Sequence, residues 1–185
     1  PVALAIASKG HKVTGYDVDP ARRATILSGS VSDIDAELLA TSEISVTARP
    51  SVIAQQDIVF VAVQTPHGPE YEGITPLPDT RADFDYSYLV AAVKELVKHA
   101  DRPFLLAVVS TVLPGTMQRE ILPLLENTNV RFAYNPCFIA MGTVTKDYLD
   151  PEFVLMGGED DALNELSKFY LTLHNAEHIM VDVIT

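Results

Sequence analysis

Apolar runs and helical patterns take turns along this chain almost to its end. Residues 57–63 (DIVFVAV) and 104–110 (FLLAVVS) are near-continuous apolar runs, the pattern of parallel strands covered on both faces. Residues 12–17, 44–47, 130–134, 152–156 and 178–183 read as further strands. Between them lie helical patterns. Residues 1–9 form a small-residue helix that Gly10 stops, and 20–27 a short helix with Pro20 in its first turn. Residues 50–55 make a turn or two. Asp85 caps a helix over 86–99, whose Leu89, Val93, Leu96 and Val97 share one face. Residues 115–125 and 160–173 complete the set, and Gly157-Gly158 closes the strand before the last helix. Residues 28–43 are polar and irregular. Residues 64–83 are long, rich in Pro and Gly, and without periodicity, as in loops that cover active sites.

Strands separated by helices at this spacing predict an α/β fold, a Rossmann-like doubly wound parallel sheet. The strands over 12–17, 57–63, 104–110 and 130–134 are expected to run parallel. Right-handed crossovers then gather the strand C-termini, and with them a ligand site, along one edge. The opening is specific. A helix, a strand ending in Asp17, and then Arg22 and Arg23 form the second half of a dinucleotide-binding βαβ unit. Its first strand and Gly-rich phosphate turn are expected upstream of Pro1, in about 10–20 further residues carrying G-x-G-x-x-G. Without that central strand its two neighbours would stand about two inter-strand spacings apart with unpaired backbone groups, so either another segment fills the place or the sequence lacks residues that are physically present, and residues 1–185 alone should be poorly stable and bind no NAD.

Composition narrows the picture. The 185 residues suit a single dinucleotide-binding domain, and 48% hydrophobic content is ample for its core. The net charge of −12 argues against non-specific binding to nucleic acid or to an anionic membrane. It leaves room for a nucleotide, which a few N–H groups and arginines can hold. No apolar run approaches the roughly 20 residues of a membrane span. The single cysteine, Cys137, excludes a disulfide framework and a cysteine-based zinc site within these residues, and a reducing cytoplasm is the expected location. His67, Glu70, Glu72 and Asp79 in the long loop read as solvated side chains, and no metal is expected.

Polar or turn residues stand at the strand ends. Asp17 can accept from both ribose hydroxyls of an adenosine and repel a 2′-phosphate, which favours NAD over NADP; its plainer reading is a turn with Asp19-Pro20. Arg22 either reaches the adenosine side of the cofactor or is a solvated helix charge. Gln64-Thr65-Pro66 follows Val63. Ser110 and Thr111 place two hydroxyls at the turn that Pro114 and Gly115 shape, where ordinary capping is the alternative. Asn135-Pro136-Cys137-Phe138 follows Tyr134.

Taken in order, these blocks resemble the N-terminal domain of the UDP-glucose/GDP-mannose dehydrogenase family. They are PVALAIASKGHKVTGYDVDPARR, DIVFVAVQTP, DFDYSYLVAAV, STVLPGTM and NPCFIAMGTVTKDYLDPEFVLMGG. The resemblance implies a cytoplasmic oxidoreductase of polysaccharide biosynthesis, a UDP-glucose-type 6-dehydrogenase. It would oxidise the C6 hydroxyl of a nucleotide sugar to the uronate with NAD as cofactor, and form a homodimer at full length. It implies that Asp17, Arg22, Val63, Thr65, Ser110 and Thr111 line the cofactor. Thr111 would also position the catalytic water or the reacting hydroxyl. Asn135, Cys137, Phe138, Ile139 and Met141 would lie against the nucleotide sugar. The family usually has glutamate where this chain has Cys137 and Met141, and a thiol and a thioether are not carboxylates. The family nucleophile, its catalytic lysine, a central helical domain and a second nucleotide-binding domain are expected downstream of Thr185. Two other readings stand beside this one: a hydroxyacid dehydrogenase of related architecture, and a homologue that holds a nucleotide sugar without turning it over.

Overall fold

The computed structural model describes residues 1–28, 42–74, 76–138 and 142–183. Most of the polar stretch 28–43, together with Ile139 and Met141, therefore lies outside the described residues.

Helix α1 (Val2–Ser8) opens the chain and ends before Gly10, whose φ of +90° suits glycine alone at low cost. β1 (Val13–Tyr16) leads into α2 (Pro20–Leu27), which begins with proline at its first position and Asp19 accepting from the Ala21 amide. β2 (Ile44–Thr47), α3 (Pro50–Ile53) and β3 (Ile58–Val61) follow. Within the long loop a 3₁₀ turn forms at Pro69–Tyr71. Helix α4 (Ser87–Lys98) starts where Asp85 accepts from the Ser87 amide, and it is followed by β4 (Leu105–Val108).

The helix expected over 115–125 is a π-helical stretch, Met117–Ile121, continuing into a short α5 (Leu122–Leu125). Pro123 explains the difference. It has no N–H to give to the carbonyl four residues back and its ring would crowd that carbonyl, so the turn before it widens. β5 (Arg131–Tyr134), α6 (Val144–Leu149), β6 (Phe153–Gly158), α7 (Asp160–Tyr170) and β7 (Glu177–Val181) complete the order. Helix α6 was not expected; six residues are too few for a helical period to stand out.

Gly157 and Gly158 are inside β6 rather than after it. A Cβ on Gly158 would stand 2.7 Å from the Phe132 carbonyl oxygen, so glycine here allows the closest approach of β6 to β5. That pair is antiparallel, with Ala133 opposite Gly158 and Tyr134 opposite Gly157.

The remaining pairs are parallel: β1 with β2, β3 with β4, β4 with β5, and β6 with β7. The strands fall into two groups, β1-β2 and β3-β4-β5-β6-β7. Among the described residues no ladder joins β1 to β3. The orders β2-β1 and β3-β4-β5 are those that flank the first strand of a doubly wound sheet. The expected parallel run through all four strands therefore holds for β3, β4 and β5, while β1 pairs only with β2.

Two apolar layers flank the larger sheet. Leu106 and Val108 of β4 face a cluster with Leu89, Val93 and Leu96 of α4 and Ile121. Leu105 and Ala107 of the same strand face the other cluster, with Ile6, Met156, Leu163, Leu166 and Tyr170. All four β4 residues are buried, which is why the strand reads as an unbroken apolar run.

Candidate functional site

The C-terminal ends of β1, β3, β4 and β5 carry the polar residues singled out above, and each is placed by identifiable hydrogen bonds. Asp17 stands just past β1. Its Oδ1 accepts from the Asp19 amide at 2.8 Å, and its carbonyl accepts from Arg23 Nη1 at 2.5 Å. Arg22 Nη1 lies 3.9 Å from Asp17 Oδ2 and Arg22 Nε 4.0 Å from Asp19 Oδ2, on a side chain 73% exposed. Asp17 thus starts a turn, and the same turn fixes where its second oxygen points. The two readings of this residue are compatible.

The ends of β3 and β4 are stitched together by hydroxyls. Ser110 Oγ accepts from the Val63 amide at 2.9 Å and donates to the Val63 carbonyl at 2.7 Å. Thr65 Oγ1 donates to the Thr111 carbonyl at 2.6 Å. Ser110 is buried, whereas Thr111 is exposed. Val63, Thr65, Ser110 and Thr111 are therefore brought together. Of the four, Thr111 alone presents an outward hydroxyl with no partner among the described residues.

A second brace escaped the sequence reading. Tyr86 Oη donates to Asp83 Oδ1 at 2.5 Å and accepts from the Leu113 amide at 3.2 Å. Arg119 Nη2 donates to Asp83 Oδ2 at 2.6 Å. Asp83 so ties the end of the long loop, the start of α4 and the turn after β4 into one unit. The signal was present as an acid and a tyrosine three residues apart before a helix, but Arg119 is 36 residues away in sequence.

At the end of β5, Asn135 is fully buried. Its amide nitrogen donates to the Leu155 carbonyl at 2.9 Å, and its Oδ1 accepts from Tyr170 Oη at 2.5 Å. Cys137 and Phe138 lie beyond it on the wall of a cavity of about 80 Å³ shared with Tyr148, Phe153 and His174. Phe138 is 62% exposed and its ring lies 5.2 Å from that of Phe153. Burial pushes the Cys137 thiol up to about 11, so at neutral pH the group is protonated and not a thiolate nucleophile.

The strand ends offer a carboxylate at Asp17, a hydroxyl at Thr111 and an apolar wall at Cys137 and Phe138. The donor set fits an adenosine ribose at Asp17, where a carboxylate oxygen is held in place at a strand end. A family model described as UDP-glucose/GDP-mannose dehydrogenase family, NAD binding domain, matches residues 1–174. The chain belongs to this family. It is the family's NAD-binding domain.

Relatives and solved structures agree with this domain assignment. UDP-N-acetyl-D-mannosamine dehydrogenase of Pyrococcus horikoshii is 28% identical, over 92% of this chain and 41% of that protein. UDP-glucose 6-dehydrogenase of Caenorhabditis elegans is 30% identical, over 65% of this chain and 26% of that protein. A ternary complex of GDP-mannose dehydrogenase from Pseudomonas aeruginosa superposes with a TM-score of 0.82 at 26% identity, over 98% of this chain and 43% of that one. The chain spans about two-fifths or less of the length of these relatives. None of the helices among the described residues is long and apolar enough to cross a membrane.

Proposed function

We propose that the protein carrying this domain is an NAD-dependent nucleotide-sugar dehydrogenase. It oxidises the C6 hydroxyl of a UDP-glucose-like substrate to the carboxylate. The observation that carries this reading is the match of residues 1–174 to the family's NAD-binding domain, with Asp17 held at the end of β1 and Thr65 bonded to Thr111 across the ends of β3 and β4.

Each residue has a task in that reading. Asp17 accepts from the ribose hydroxyls and repels a 2′-phosphate. Arg22 neutralises charge beside it. Ser110 and Thr65 fix the β3 and β4 ends through their hydroxyls and so hold the stretch that lines the cofactor. Thr111 orders a water or the reacting hydroxyl. Cys137 and Phe138 form part of the wall against the sugar; Ile139 and Met141, assigned to it from sequence, lie outside the described residues. NAD, when bound, supplies the hydride acceptor; the protein orients it and excludes water.

The separation of β1-β2 from the five-stranded sheet supports a further element. A strand and Gly-rich turn preceding Pro1 fill that place, pair with both strands and bring phosphate-binding N–H groups to the edge. The nucleophile and the rest of the sugar site lie in domains after Thr185, and the whole protein is a cytoplasmic homodimer.

A second reading is favoured by one observation. The protonated Cys137 stands where the family usually has glutamate, which suits a homologue that binds a nucleotide sugar without oxidising it. Full-length protein is incubated with NAD and a panel of nucleotide sugars while NADH absorbance is followed. Turnover of any of them supports the dehydrogenase. Binding without turnover supports the second reading, and neither binding nor turnover refutes both.

A further inference from the structure

Tyr170, the last residue of α7, does something that core packing does not require. Tyr170 is 2% exposed and Tyr148 of α6 is 4% exposed. A hydroxyl at such depth is costly to bury unless it is hydrogen-bonded, and phenylalanine would fill either place without that cost. Both hydroxyls are used. Tyr148 Oη donates to Tyr170 Oη at 3.1 Å, and Tyr170 Oη donates to Asn135 Oδ1 at 2.5 Å. Asn135 in turn donates to the Leu155 carbonyl. The bonds run in one direction, from α6 through α7 to the end of β5 and on to β6, so each hydroxyl has a defined orientation.

The chain ends at the point where the sheet stops guiding the backbone. The antiparallel pairing of β5 with β6 runs only as far as Tyr134 opposite Gly157. Asn135 makes the last backbone bond to β4, its amide donating to the Val108 carbonyl at 2.8 Å. Its side chain takes over on the β6 side. The next residue, Pro136, has no N–H and a fixed φ. The direction in which residues 136–138 leave the sheet is therefore set by how the Asn135 side chain is held.

We propose that Tyr170, supported by Tyr148, is a positioning residue: its hydroxyl holds Asn135 and thereby aims residues 135–138 at the nucleotide sugar. The inference rests on the proposed function only in taking that segment as the sugar-facing wall. Tyr170 itself touches no substrate.

The test uses Tyr170→Phe and Tyr148→Phe in the full-length protein. Each removes one hydroxyl and keeps the ring. Tyr170→Phe should raise KM for the nucleotide sugar about tenfold and leave KM for NAD unchanged, since it deprives a buried carbonyl of its donor. Tyr148→Phe should act in the same direction and more weakly, because Tyr170 keeps its bond to Asn135. Hydrogen exchange, read without substrate, should quicken about tenfold for the amides of Asn135, Cys137 and Phe138 in Tyr170→Phe and stay unchanged in β3 and β4.

Unchanged exchange at these amides overturns the proposal. So does a uniform rise in exchange with both KM values moving together, which marks a general packing role. If the unmutated protein turns over no nucleotide sugar, the dehydrogenase reading fails; the exchange measurement then decides the positioning role by itself.

Discussion

The Ser110 hydroxyl bridges both backbone groups of Val63, accepting from its amide at 2.9 Å and donating to its carbonyl at 2.7 Å. The two residues are 47 apart in sequence. This clasp continues the pairing of β3 with β4 beyond the last ladder bond and fixes the edge on which Thr65 and Thr111 sit. Ser110→Ala leaves both Val63 groups without this partner. It should lower the unfolding free energy by about 1–3 kcal/mol. Urea unfolding of the full-length protein would measure it, and an unchanged midpoint would contradict the role of the clasp.

Asp17 is the residue proposed to set cofactor choice. The unmutated protein should prefer NAD to NADP, because a carboxylate at this strand end opposes a 2′-phosphate. Asp17→Ala should weaken NAD binding and narrow the preference. Titration with both cofactors tests this, and equal affinity of the unmutated protein for the two would remove Asp17 from the site.

Cys137 is half-buried, and that burial keeps its thiol protonated at neutral pH. Its native thiol is pushed up to about 11 by burial, above its unfolded value. The unfolded state therefore loses its proton first as pH rises, so this group's contribution to stability is intact below the unfolded value and falls away as pH rises toward about 11. Native thiol labelling at pH 8 should be slow and should quicken with pH. Cys137→Ser should keep turnover within about threefold, since no thiolate is being used. A loss of several orders of magnitude with folding intact would mean that the thiol takes part in the chemistry.

Much of this architecture was legible because its causes are local. Asp19-Pro20 caps and starts α2, and an unbroken apolar run marks β4 as covered on both faces. Asp17 and the Ser110–Thr111 pair stand out in the sequence because each stands just past the end of a strand. The Asp83–Tyr86–Arg119 brace and the Tyr148–Tyr170–Asn135 chain were not. Their members are ordinary residues in sequence, and only the packing of α6, α7 and the sheet brings them together. Asn135 was read as facing ligand, and the fold gives its side chain to Leu155 and Tyr170 instead. The widened turn at 117–121 follows from Pro123, a residue inside the run that the helical reading passed over.

The split sheet makes its own prediction. With β1 and β3 in separate ladders, residues 1–185 expressed alone should unfold without a cooperative transition and bind no NAD measurably. A longer polypeptide that supplies one strand and a Gly-rich turn ahead of Pro1 should do both. A cooperative thermal transition with micromolar NAD binding by residues 1–185 alone would contradict the need for that strand.

The central claim is that this domain serves hydride transfer from a nucleotide sugar. The most direct measurement is NADH formation by the full-length protein at saturating NAD, with UDP-glucose, UDP-N-acetylmannosamine and GDP-mannose offered separately. NADH should form with one of the three, most readily UDP-glucose, and should not form without nucleotide sugar. No NADH from any of them, by protein shown to bind NAD, would contradict it.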